Sequence, residues 1–257
     1  MLEIRALGNL MILKDGILLD NFGSSKAEAA LAYLALEGGQ QSRVRLAALF
    51  WPESPEQKAL ASLRVMLSSL RKNVGEYLEI TREIVKIKSD VEIFLDVQEF
   101  EKRIAKGHLP QALELYQGDF LEGLYIQDSS EFENWRRWEH ERLHLLLIGA
   151  FQATLSSELA QGNYRTGQSL ASDLLKIDPV NEFALSHYII SLALDGKRID
   201  ALKYYKHYSE ILMDEFGLEP SAETEKLKHI IVEGDPEILS QQIMPKNNLP
   251  HMQTSFI

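Results

Sequence analysis

Apolar and polar residues alternate over the first twenty positions, with Leu2, Ile4 and Ala6, then Leu10 and Ile12, then Ile17 and Leu19. Asp15-Gly16 interrupts them, and Asp-Gly between alternating runs signals a tight hairpin, so a small antiparallel N-terminal sheet is predicted. The period then lengthens. Residues 26–37 put Ala27, Ala30, Leu31, Leu34 and Ala35 on one helical face, and Gly38-Gly39 stops the run. Ser42 holds an N-cap position before a short helix over 43–50, which Pro52 and Pro55 end. The next helix, 56–73, has an apolar stripe of Leu60, Leu63, Leu67 and Leu70 that runs on to Val74. At about 100° per residue, Lys58, Ser62, Val65, Ser69 and Lys72 face the other way, with Arg64, Ser68 and Arg71 on the flanks. Short β-branched runs at 77–81, 83–88 and 91–95 predict a hairpin carrying Thr81, Arg82, Lys86 and Lys88.

From Asp96 onward the pattern is helical throughout. Gly162-Asn163-Tyr164 and Gly196-Lys197-Arg198 lie 34 residues apart, the tetratricopeptide period. Pro179 sits where such a repeat closes its second helix. Gly167 and Ala171 in one unit, and Ala201 and Tyr205 in the next, occupy the small and aromatic packing positions. An earlier, weaker unit has Gly107, Ala112 and Tyr116 at the same offsets. Residues 129–160 read as one long helix carrying Trp135, Trp138, Leu143, Leu146 and Leu147. Residues 241–257, with Pro245, Asn247, Asn248 and Pro250, read as a linker. The expected fold is therefore an α+β winged helix over 1–95, an all-α tetratricopeptide-like domain over 96–233, and a linker or disordered tail over 234–257.

Charge sharpens the picture. The net charge is −11, but residues 40–88 hold nine Lys and Arg against five Asp and Glu. A helix with an apolar back and a front of small polar and basic residues suits a DNA groove: small side chains allow close approach, hydroxyls bond bases or phosphates, and cations neutralise phosphate. The plainer alternative is a solvated amphipathic helix. The order of sheet, three helices and hairpin favours DNA, with the second helix of the pair in the major groove and the hairpin on neighbouring backbone. Candidate contacts on the reading helix are Lys58, Ser62, Arg64, Ser68, Ser69, Arg71 and Lys72. Ser42, Arg43 and Arg45 are expected to hold phosphate near a helix N-terminus, and Arg82, Lys86 and Lys88 to do so from the hairpin.

Six segments in order resemble the Streptomyces antibiotic regulatory protein type of transcriptional activator. They are Leu7-Gly8-Asn9-Leu10, SRVRLAALFW at 42–51, LRVMLSSLR at 63–71, ALELYQGDFL at 112–121, WRRWEHERL at 135–143 and GKRIDALKYYKHYSEILMDEFGLEP at 196–220. The last, with Glu215-Phe216-Gly217-Leu218-Glu219-Pro220, is the most specific. The resemblance covers residues 1–233 and implies an OmpR-type winged helix joined to a bacterial transcriptional activation domain. It also implies binding to direct repeats in promoter DNA, usually by two protomers side by side, and recruitment of RNA polymerase through the sigma subunit. Two positions depart from the family pattern: Ser69 stands where an additional Arg is often found, and Ala27-Glu28 follows Lys26 where a more basic pair is common. Leu249-Pro250 and Thr254-Ser255-Phe256-Ile257 resemble the lead-in to the nucleotide-binding domain of large signal-transduction ATPases, which implies the N-terminal part of a longer regulator.

Other chemistry finds little support. There is no cysteine for a disulfide or thiolate site, no Gly-x-x-x-x-Gly-Lys-Ser/Thr phosphate loop and no Gly-x-Ser-x-Gly elbow. His140-Glu141-Arg142-Leu143-His144 spells a zinc-hydrolase pattern, but no third ligand is placed and the surrounding leucines read as a packed helix. No cofactor, no enzymatic activity, no membrane span and no secretory leader are expected, which fits a cytoplasmic protein. Two rivals remain: a scaffold whose winged helix binds protein, and a metal hydrolase built on His140, Glu141 and His144.

Overall fold

The computed structural model describes residues 1–234 and Leu239. The linker expected over 241–257, with the tail motif at 249–257, lies outside the described residues. Strands β1 (Leu2–Arg5), β2 (Met11–Lys14) and β3 (Ile17–Leu18) form the expected antiparallel ribbon. Asp15 (φ 53°) and Gly16 (φ 80°) both take left-handed backbone at the β2–β3 turn, the conformation for which Asp-Gly is suited. Helix α1 (Ser25–Glu37) follows, capped by Ser24, then β4 (Gln41–Ser42), α2 (Arg43–Phe50) and α3 (Glu56–Val74). A 3₁₀ turn at Gly75–Tyr77 leads to the hairpin β5 (Leu78–Ile80) and β6 (Ile84–Ile87).

Two strand pairings differ from the expectation of one terminal hairpin. β7 (Ile93–Leu95) leaves the hairpin and pairs in parallel with β1, giving a four-stranded sheet of order β3-β2-β1-β7. β4 adds to β6, so the wing is a three-stranded sheet of order β4-β6-β5. Long-range pairing of this kind leaves no local sequence period. Asp96, directly after β7, holds the junction: its buried carboxylate accepts from the Ala6, Leu7 and Val97 N–H groups, each at 2.8 Å.

The helical part comprises α4 (Asp96–Ala105), α5 (Leu109–Leu113), α6 (Ser130–Ala160), α7 (Tyr164–Ile177), α8 (Glu182–Leu194), α9 (Arg198–Ile211), a π turn at Leu212–Phe216 and α10 (Ala222–Glu233). α7 and α9 start 34 residues apart, and Gly167, Ala171, Ala201 and Tyr205 are all buried, so the two later repeats form as expected. Gly167 is needed small, because a Cβ there would meet the Ser191 hydroxyl at 3.0 Å. The earlier unit makes the same left-handed turn at Gly107 (φ 73°) and buries Ala112, but its second helix stops short. α5 has only five residues, and Tyr116 lies beyond it, packed at 5.8 Å on Phe100. In α6, Leu143, Leu147, Phe151, Leu155 and Leu159 are buried at every fourth residue, whereas Trp138 is 76% exposed. α6 is 31 residues long with a stretch of mean hydropathy 1.3, enough by length and composition alone to cross a membrane.

Packing divides the chain into two compact units, Met1–Leu147 and Ile148–Ile257, at a boundary within α6. The change at 95 is from strands to helices. Residues 96–147 nevertheless pack on the winged helix: Trp135 meets Tyr33 at 4.9 Å, Phe132 stacks on Phe50 at 5.2 Å, and the Ser129 hydroxyl donates to the Phe50 carbonyl. The 117–122 segment also runs against the β1–β2 loop, with Gln117 N donating to Leu7 O and Leu121 N to Ala6 O.

Candidate nucleic-acid interface

Helix α3 buries Ala59, Leu63, Met66, Leu67, Leu70 and Val74, and Leu60 is only half-buried. The buried stripe is thus rotated from the leucine pattern, since Ala59 and Met66 join it. Rotation leaves Lys58, Ala61, Arg64, Val65, Ser68, Arg71 and Lys72 exposed along the outer side, with Val65 at 74%. Arg71 and Lys72 also occupy the last turn, where cations complement the helix dipole.

The two flanks of α3 have different fates. On one, Arg64 faces Arg43 and Arg82 across an open groove of about 740 Å³ that Ser42, Val44, Leu60 and Glu83 complete. The β4–β6 pairing and the Arg43 N–H bond to Glu83 O bring α2 to the wing, and the Arg43 guanidinium donates to Thr81 O at 3.3 Å. Arg71 leans the same way, 3.4 Å from Ile80 O. The Thr81 hydroxyl accepts from the Glu83 and Ile84 N–H groups, which shapes the hairpin tip that presents Arg82. On the other flank, Ser62 and Ser69 are half-buried, and the Ser69 hydroxyl donates to Phe22 O. Asn73 donates to Asn21 O and Ser69 O. That flank fastens α3 to the loop before α1, so Ser69 is a structural residue here.

The remaining candidates separate in the same manner. The Ser42 hydroxyl accepts from Arg45 N at 3.1 Å and so caps α2, with its own O–H still able to donate. Arg45 points to another depression, lined by Tyr33, Leu49, Trp135 and Trp138, with Glu37 4.0 Å away. Burial pushes the Tyr33 phenol up there, opposed by Arg45. Lys86 pairs with its cross-strand neighbour Glu79 at 3.0 Å, and Lys88 donates to Glu76 O at 2.7 Å. Among the described residues, Arg43, Lys58, Arg64, Arg71, Lys72, Arg82 and Lys88 have no carboxylate partner, so seven of the nine cations between 40 and 88 are unpaired. Lys26 is spent inside the domain, with its ammonium over the Trp51 ring and donating to Phe50 O; burial lowers its pKa.

Sequence reasoning passed over Gln57, exposed in the first turn of α3, and Val65, placed on the outer side by its helical angle but not counted as a contact. Position on the helix was the available signal for both. His140 and His144 stack with ring centroids 6.1 Å apart on α6, and no group of three or more His, Asp or Glu gathers to hold a metal among the described residues. Arg142, between them, pairs with Glu101 and Glu139.

A winged helix followed by tetratricopeptide-like repeats is a regulator architecture, and comparison with known proteins agrees. The profile of the bacterial transcriptional activator domain matches residues 95–232, and the chain belongs to that family. It is similar to the regulatory protein DnrI of Streptomyces peucetius, 25% identical over 263 residues that cover 92% of this chain and 94% of that protein. It is also similar to the regulatory proteins AfsR of Streptomyces coelicolor (26% identical, 92% of this chain) and of Streptomyces griseus (27% identical, 84% of this chain). The chain spans only 25% and 23% of those two proteins. Among solved structures, Mycobacterium tuberculosis EmbR in complex with a low affinity phosphopeptide matches with a TM-score of 0.68, at 22% identity, over 94% of this chain and 68% of that one. At that identity the likeness is one of fold.

Proposed function

We propose that this transcription regulator activates by binding specific promoter DNA through the winged helix and contacting RNA polymerase, through its sigma subunit, with the rest of the molecule. Helix α3 lies in the major groove. Gln57, Arg64 and Ser68 meet base edges there, and Val65 offers an apolar contact to a thymine methyl group. Arg43, Arg71 and Arg82 hold the phosphates on one side of the helix, with Lys58, Lys72 and Lys88 as outlying cations. Lys86 contributes less because Glu79 already neutralises it, and Ser42, Ser62, Ser69 and Arg45 position the elements. Two protomers side by side on repeated sites, a cytoplasmic location and the absence of catalysis complete the reading.

The observation that carries it is the set of unpaired cations on α2, α3 and the wing, around a helix whose outer side is free, in a chain of net charge −11. Selection from a random duplex pool tests it. Enrichment of a repeated motif, bound in a salt-sensitive manner, is the expected outcome. Failure to enrich any sequence would favour the scaffold reading, in which the winged helix binds protein.

A further inference from the structure

At the end of α9 the chain does something unusual. It loosens into a π turn at Leu212–Phe216, and Gly217 (φ 65°) then reverses it, with Gly217 N donating to Met213 O and Leu218 N to Leu212 O. A left-handed cap of this kind generally tucks the following apolar residue against the helix. Here Leu218 remains 58% exposed, beside Phe216 at 52% and Met213 at 47%. Three large apolar side chains within six residues therefore stand in solvent. One helical turn before the π turn, the buried Tyr208 donates to Val180 O at 2.8 Å and ties the end of α9 to the turn between α7 and α8.

The surroundings are acidic. Residues 207–225 contain six Asp and Glu and no Lys or Arg. Of these, Asp214, Glu215 and Glu219 are exposed next to the apolar trio, and no cation pairs with them among the described residues. The segment is nevertheless held firmly from below. Leu212 is buried, and the Glu182 carboxylate accepts from Ser221 N and from the Ser221 and Thr224 hydroxyls. Burial pushes the Glu182 carboxyl up, but those hydrogen bonds bring it below its usual range. Three exposed apolar side chains within six residues, beside unpaired carboxylates and over a hydrogen-bonded base, suit a protein-binding surface, and π turns are frequently found at functional sites.

We infer that the Met213–Phe216–Leu218 prong is a docking surface for a basic amphipathic helix of a partner protein. The partner's apolar stripe would cover the three side chains, and its flanking Lys or Arg would meet Asp214, Glu215 and Glu219. The inference goes beyond DNA recognition and does not depend on it.

The probe is a fluorescein-labelled helical peptide with leucines at i, i+3, i+4 and i+7 and lysines between, titrated with the full chain. Its counterpart has every lysine replaced by glutamate. Saturable binding of the lysine peptide alone, weakened by salt, is expected. The Phe216→Ser/Leu218→Ser double variant should lose about tenfold or more, since anchor residues carry most of the energy of such contacts. The Asp214→Asn/Glu215→Gln/Glu219→Gln variant keeps the apolar cluster and should lose the salt dependence. Equal binding by wild type and both variants would overturn the inference. So would sedimentation showing that the apolar variant only converts a dimer into monomers, because a second copy would then be the occupant. Duplex DNA binding should be unchanged in both variants, which keeps this test separate from that of the winged helix.

Discussion

Arg64 and Arg82 carry charges that no carboxylate answers among the described residues, whereas Lys86 lies 3.0 Å from Glu79. Composition counts these cations alike. The structure ranks them, because a paired lysine has already released much of the field it could offer a phosphate. Arg82→Ala is therefore expected to flatten the dependence of log affinity on log salt by about 0.9, the loss of one phosphate contact. Lys86→Ala should flatten it by less, and salt titrations of both variants on one duplex check this ranking. Ser69 makes the complementary point. Its helical angle put it on the outer side, yet its hydroxyl is bonded to Phe22 O, a partner 47 residues away that no local pattern discloses. A second prediction belongs to Glu182. Its carboxyl is held below the usual 4.5, so it stabilises the fold above that value and the contribution is lost as pH falls through the lowered one. Glu182→Gln should unfold more readily than wild type at pH 7, and the two should converge well below pH 4.5 in urea titrations.

Elements with a strong period were legible: α2 falls on the expected residues, α1 and α3 to within a residue, and the α7 and α9 starts agree with the repeat spacing. Strands with non-local partners were not. β7 reads like the third strand of a wing, and only its parallel partner β1 shows that it belongs to the other sheet. β4 is two residues long and invisible without β6. The leucine spacing of α3 located the helix but misjudged its rotation, because Ala59 and Met66 are buried and Leu60 opens on the groove. That rotation supplies a test on the outer side of the element. Val65, 74% exposed, has little packing to lose. Val65→Glu should keep thermal stability within about 0.5 kcal/mol and abolish specific DNA binding, by placing a carboxylate against the duplex. A variant that still binds its selected sequence would place α3 outside the groove.

For the whole molecule, the sequence announces a change at residue 95, where the family profile also begins, while contacts keep residues 96–147 with the winged helix. Aromatic rings make that attachment: Phe132 is fully buried against Phe50 and Trp135. Phe132→Ala should accordingly cost about 3–5 kcal/mol in urea unfolding, a loss that a loosely tethered helix would not show. The activator-domain segment thus supplies part of the core beneath the winged helix. The central claim is that duplex DNA is held by the cations around α3. The most direct test compares the salt dependence of affinity for a selected duplex in the wild type and in the Arg43→Ala/Arg64→Ala/Arg82→Ala variant. The account predicts a steep linear fall of log affinity with log salt for the wild type, and a slope shallower by about 0.9 for each phosphate-contacting arginine removed. Identical slopes and affinities for the two proteins would contradict it.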